Sequence, residues 1–231
     1  MIKEIISEES TEIKTLELGG IKEIKPQSEI TSQESNSFWN DVFKDQGADA
    51  KEEGYFNTYE DRINCTPKEN SSLGDWVGTR GESKFIPTPE TTEGRAALDK
   101  LAEKGLDGIE YKNAEPNFSK CAEETVKINN MTENRDDYYD MDGTLMQGNF
   151  SQADIKCAEK WSNDSKGGET DWTARDVYEW RHENKFSWHE RCDTQTMDLV
   201  PYDIHSHCKH LGGVSECKVR DSVDIGGGFD E

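Results

Sequence analysis

All five histidines of the chain lie between residues 182 and 210, and four of them (His189, His205, His207 and His210) fall in the stretch FSWHERCDTQTMDLVPYDIHSHCKHLGG, residues 186–213. Imidazole is the commonest metal ligand and the side chain that titrates near neutrality when unperturbed. Glu190 directly follows His189, so a carboxylate sits beside the cluster. Imidazoles and a carboxylate that converge on one point suit metal-assisted hydrolysis. In that chemistry an ion polarises a phosphoryl oxygen and stabilises the leaving oxyanion while a nearby base activates water.

Convergence requires elements that bring these residues together. KFSWH reads as a strand, ERCDTQ as a turn and TMDLV as a returning strand. Pro201 then occupies the first position of a helix, where proline is favoured, with Asp203 in the first turn. Ile204, Cys208 and Leu211 form an i, i+4, i+7 stripe, and Gly212 can end the helix. The expectation is a hairpin running straight into a helix, with His189 and Glu190 on the first strand and His205 on the helix. His210 lies roughly 140° round a regular helix from His205, so the two share one ion only if the last turn loosens. His207, about 200° from His205, faces away and reads with His182 as a surface residue. Cys208 belongs to the apolar stripe, and Asp193 to the hairpin turn.

Upstream, Thr92 caps a helix that ends near Gly105, and GIEYKN (108–113) and ETVKIN (124–129) alternate like strands. Ser151 with Asp154, and Thr173 with Asp176, each resemble a capping box opening a helix. Residues 1–56 read as an acidic, partly disordered arm or linker, with SFWNDVF (37–43) as a short helix. The compact domain is expected over 57–220, and a flexible acidic tail over 221–231.

Composition sets limits. The formal charge is −22, from 49 acidic and 27 basic residues, and no fifty-residue block is basic. Nucleic-acid binders usually carry a basic stripe, so charge alone speaks against that class. Six widely spaced cysteines include no CxxC pair, which argues against a zinc ribbon or thioredoxin-type site and reads as reduced thiols. No apolar run approaches the length of a membrane span, and MIKEIISEES lacks a signal peptide's apolar stretch. Six Trp, seven Tyr and eight Phe supply a core.

The pattern SWHE…D…TMDLVP…IH…HLGG resembles the HNH/endonuclease VII superfamily of nucleases, in the branch named for its WHE signature. Trp188, His189, Glu190, Asp193, Thr196, Met197, Leu199, Val200, Pro201, His205, His210, Gly212 and Gly213 fall in register. WRHEN (180–184), GDWVGTRGESKFIP (74–87), GIEYKNAEPNFS (108–119) and INNMTENR (128–135) are similar to other parts of these modules, and the resemblance covers about residues 55–220. It implies an α+β fold ending in a ββα-metal, HNH-type finger. It also implies a metal-dependent DNA endonuclease, the warhead of a polymorphic toxin. Such an effector is secreted or delivered into the target-cell cytoplasm, without membrane insertion, and is neutralised by a cognate immunity protein.

The resemblance further implies one divalent ion (Mg, Mn, Zn or Ni) and pairs a ligand with the general base at His189 and Glu190. His189 is assigned here as base, because its unperturbed pKa lies near neutrality, and Glu190 as ligand. His205 matches the helix ligand, and His210 either completes the ligand set or contacts the scissile phosphate. Gly212 and Gly213 either cap the helix or let the backbone approach DNA. Given the acidic body, Arg80, Lys84, Lys185, Arg191, Lys209 and Lys218 are expected to gather round the histidines as one positive cleft. Two rival readings share the scaffold: a binding module without competent catalysis, which the acidity favours, and an RNA-cleaving nuclease.

Overall fold

The computed structural model describes residues 55–226, with side-chain burial through 222. The arm expected over 1–56, except its last two residues, and the helix expected over 37–43 lie outside the described residues. Helix α1 (Tyr59–Asn64) opens with a Thr58–Asp61 capping box. Strands β1 (Gly74–Trp76), β2 (Lys84–Pro87), β3 (Ile109–Lys112) and β4 (Glu115–Pro116) form an antiparallel sheet in that order. Between β2 and β3 runs α2 (Thr92–Glu103), capped by Thr91, one residue before the cap expected from the sequence. Phe85, Leu101, Ile109, Tyr111 and Phe118 form one core with Val200, Ile204 and Cys208.

A second antiparallel sheet has the order β5 (Glu124–Lys127), β9 (Thr196–Pro201), β8 (Phe186–Glu190). Every residue of the central strand β9 is buried. Met197 and Leu199 join a second core with Trp161, Val177 and Trp188, whereas Val200 belongs to the first. β9 is thus the wall between the two cores. The polar Asp198 on it is tolerated because the Arg191 guanidinium forks onto its carboxylate at 2.6 and 2.9 Å and the Thr125 hydroxyl donates at 2.6 Å.

Helices α3 (Asn149–Asn163) and α4 (Ala174–Glu183) cover the second core, and a small hairpin of β6 (Tyr138–Tyr139) and β7 (Leu145–Met146) precedes them. The Thr173–Asp176 capping box forms as expected. Thr173→Ala should therefore cost about 1 kcal/mol in urea unfolding. The Ser151–Asp154 box does not form. Helix α3 starts three residues earlier, with Gly148 as N-cap instead of Ser151, so Asp154 lies too far along the helix to cap it and turns into the core.

After β9 comes α5 (Tyr202–His207), which stops at Cys208 (ψ 80°) instead of running through Leu211. Helix α6 (Gly213–Gly226) follows, where the sequence suggested a helix end and then a flexible tail. Gly212 opens this helix by accepting from Ser215 and Glu216 N–H. His207 is not on the surface. It is buried, and its Nε2–H donates to the Leu73 carbonyl at 2.6 Å, tying α5 to the front half. All six cysteines are free, and only Cys65 is exposed.

Candidate metal centre

Strand alternation decides what β8 presents to each side. Trp188 and Glu190 point toward α3. The Trp188 indole N–H donates to Asp154 Oδ1 at 2.8 Å, and the same carboxylate takes the Arg181 guanidinium of α4 at 3.0–3.2 Å. His189 points the other way, onto the Phe118 ring at 4.8 Å between centroids. The hairpin turn is held by Asp193, which accepts from Gln195 N–H, Thr196 N–H and the Thr196 hydroxyl, as its place in the sequence suggested.

His205, on α5, and His210, on the irregular stretch after it, close on His189. One ligand nitrogen from each of the three lies within 4.8 Å of the others. The early end of α5 makes this possible, because His210 no longer follows the helix. Two side-chain donors hold the stretch: His210 Nδ1–H to the Cys208 carbonyl at 2.6 Å and the Tyr111 hydroxyl to the Lys209 carbonyl at 3.2 Å. Phe118 backs all three imidazoles, with its ring 5.6 Å from His205 and 5.9 Å from His210.

The donor set fits a cation. Because His210 Nδ1 gives its proton to a carbonyl, Nε2 carries the bare lone pair, and it lies 3.1 Å from His189 Nδ1. Two nitrogens bound tetrahedrally at about 2.1 Å from one ion are roughly 3.4 Å apart. His189 Nε2 is buried with no hydrogen-bond partner. A buried polar atom left in this state costs about 1–3 kcal/mol, and it lies across the ring from the Nδ1 that faces His210. The three histidines can hold one divalent ion.

Burial, followed by repulsion from the neighbouring imidazoles and cations, holds His189 well below the ordinary histidine range. Burial likewise lowers His205 to about 3 and His210 to about 4. All three are neutral at pH 7 and ready as ligands. In the unfolded chain these groups take protons near pH 6.5, whereas in the fold they resist until far lower pH. Metal-free protein should be fully stabilised by them above about pH 6.5 and lose that contribution as pH falls through 4 and 3. Urea midpoints in chelator across this range check it.

Glu190 is not one of the three converging groups, although the sequence reading made it a ligand and His189 the base. It lines the same cavity of about 210 Å³, but its carboxylate meets Arg135 Nε at 3.3 Å and Asn149 Nδ2 at 3.4 Å. Burial raises the Glu190 carboxyl above its usual range, opposed by Arg135 and the Asn149 amide. The physical reason for the difference is the strand: adjacent residues face opposite sides, and only the His189 side carries His205 and His210.

The expected ring of six cations does not form. Arg80 is bound to Thr66 and the Ile63 carbonyl, and Lys84 to Asp107. Lys185 contributes its carbonyl, which takes the Tyr202 N–H, and Arg191 is forked on Asp198. Lys209 and Arg135 line the cavity, and Lys218 shares a neighbouring hollow with Arg135. Arg135, Asn149, Asp154 and Arg181 were missed as contributors. The lone arginine of INNMTENR was the available signal for the first. Gly212 and Gly213 do not form a helix C-cap, since Gly212 opens α6, and Gly212 lines the cavity. A Cβ on Gly212 would lie 2.8 Å from the Glu190 carbonyl oxygen, and on Gly213 2.6 Å from that of Arg191 and 2.4 Å from Met131 Sδ. They let the His210 stretch press against β8. Gly213→Ala should cost about 1–3 kcal/mol in thermal unfolding.

Residues 108–212, a little under half of the 231-residue chain, match the family model described as the DNase/tRNase domain of colicin-like bacteriocin. Comparison with curated proteins and with solved structures gave no match. The matched segment runs from β3 through His210 and contains all three converging histidines together with Glu190. Over residues 108–212 the chain is thus similar to the DNase/tRNase domains of colicin-like bacteriocins.

Proposed function

We propose that this protein is a metal-dependent DNA endonuclease whose ion is held by His189, His205 and His210, with Glu190 as general base. The observation that carries the reading is the convergence of three neutral imidazoles within 4.8 Å, in a cavity that Glu190, Arg135 and Lys209 also line. The hairpin β8–β9 followed by α5 then serves as a ββα-metal finger of HNH type. An ion held there would supply positive charge to the phosphoryl and leaving oxygens. Glu190 takes the proton of the attacking water, and Asn149 and Arg135 fix its carboxylate. Arg135 and Lys209 face the non-bridging oxygens of the phosphodiester and orient it for in-line attack.

The colicin-like family supports a toxin role in competition between bacteria, with action in the target-cell cytoplasm and a cognate immunity protein as partner. Among the described residues no helix is long and apolar enough to cross a membrane. The family description also names tRNase domains, which favours RNA as the second reading. Purified protein incubated with supercoiled plasmid and with tRNA, each with a divalent ion and with chelator, tests both. Metal-dependent nicking of plasmid is expected. Cleavage of tRNA alone would select the second reading. Cleavage of neither, in protein that binds metal by calorimetry, would leave the inert module.

A further inference from the structure

We infer that Asn149 is a positioning residue that sets the orientation of the Glu190 carboxylate; the inference rests on the assignment of Glu190 as base. Asn149 is the first residue of α3 and is completely buried. Asparagine near a helix start ordinarily caps its own helix, yet here the side chain points across to other segments. Its Oδ1 accepts from Thr132 N–H at 3.0 Å, and its Nδ2 donates to the Thr132 carbonyl at 2.8 Å. This double bond pattern admits one amide orientation, since a flip would set donor against donor and acceptor against acceptor. The second N–H of Nδ2 is thereby aimed at Glu190 Oε1, 3.4 Å away.

The same junction holds the other partner of Glu190. Asn149 N–H donates to the Asn134 carbonyl and Phe150 N–H to that of Arg135, both at 3.0 Å. Gly148 packs so closely that a Cβ there would lie 2.3 Å from the Asp136 carbonyl carbon. The loop 132–136 is thus clipped to the start of α3, and Arg135 Nε reaches Glu190 Oε2 from that loop. Each carboxylate oxygen takes a donor from a different side. The Arg135 side chain is 57% exposed and open to solvent, whereas Asn149 is walled in on every side. With Arg135 alone, Glu190 would follow the guanidinium. Asn149 supplies the fixed reference, and a shift of about 1 Å in a reacting group can cost about a hundredfold in rate.

The test is a double-mutant cycle in the full chain: Asn149→Ala, Glu190→Gln and the pair, each assayed for single-turnover plasmid nicking and calorimetric Mn²⁺ binding. Asn149→Ala is expected to slow nicking about 10- to 100-fold with metal affinity unchanged. The double variant should be no slower than Glu190→Gln alone, because the amide acts only through that carboxylate. Full rate in Asn149→Ala, or additive losses in the pair, would overturn the inference while leaving Glu190 as base. Full rate in Glu190→Gln would instead remove the base assignment and this inference with it. Should Asn149→Ala fail to fold, Asn149→Asp decides by the same cycle. It keeps the shape and the acceptor for Thr132 N–H but loses both donors of Nδ2, to the Thr132 carbonyl and to Glu190.

Discussion

Glu190→Gln should slow plasmid nicking by about 10²- to 10⁴-fold, the usual worth of a positioned general base, and leave divalent-ion affinity close to wild type. Glutamine keeps the shape but has one oxygen, so it accepts from only one of Asn149 and Arg135, and it cannot take a proton. No metal concentration should restore the rate. His189→Ala is the contrast. It removes one of three converging nitrogens, so ion affinity should fall sharply and part of the activity should return at high metal. Calorimetric titration beside the nicking assay separates the two. If the pattern were reversed, with Glu190→Gln weak in binding and rescued by metal, the carboxylate would be the ligand and His189 the base.

Asp154→Ala should destabilise the protein by about 3–5 kcal/mol, read from urea unfolding. Its carboxylate takes both the Trp188 indole and the Arg181 guanidinium, and all three side chains are buried. Removing it strands a guanidinium and an indole N–H in the core. Burial pushes the Asp154 carboxyl up, and these two donors oppose that shift. Arg181→Met should cost less, because it removes the buried cation and leaves an acid that can protonate instead. Since Trp188 is the neighbour of His189, nicking in surviving Asp154→Ala protein should also fall.

The hairpin, its turn and the membership of the histidine cluster were legible because they depend on nearby residues. KFSWH and TMDLV read as strands on either side of a turn, and Asp193 holds that turn through Thr196. The surroundings of His189 and Glu190 were not legible. Which side of β8 meets the ligands depends on α5, and which side meets a fixed amide depends on Asn149, 41 positions upstream of Glu190. The early stop of α5 was hidden for a similar reason. No breaker stands between Tyr202 and Leu211. The helix yields because side-chain donors from His210 and Tyr111 claim the Cys208 and Lys209 carbonyls. The two glycines were read as a stop, whereas their lack of side chains serves packing against β8. Charge misled in the same direction, since single arginines placed by packing replaced the expected basic cleft.

The Glu216 carboxylate of α6 is buried and receives the main-chain N–H groups of Phe56 and Asn57 and the Asn57 side-chain amide, across up to 160 residues of sequence. During synthesis, every residue of the metal cavity is made before Glu216. The nascent polypeptide therefore carries its histidines and carboxylate while the segment that will fasten Phe56 and Asn57 is still unmade. Closing so long a span is entropically costly and comes late in folding. A ribosome-bound intermediate arrested after residue 212 would hold the complete matched segment without this fastening. Until Glu216 is made, Phe56 and Asn57 have no carboxylate to receive their N–H groups.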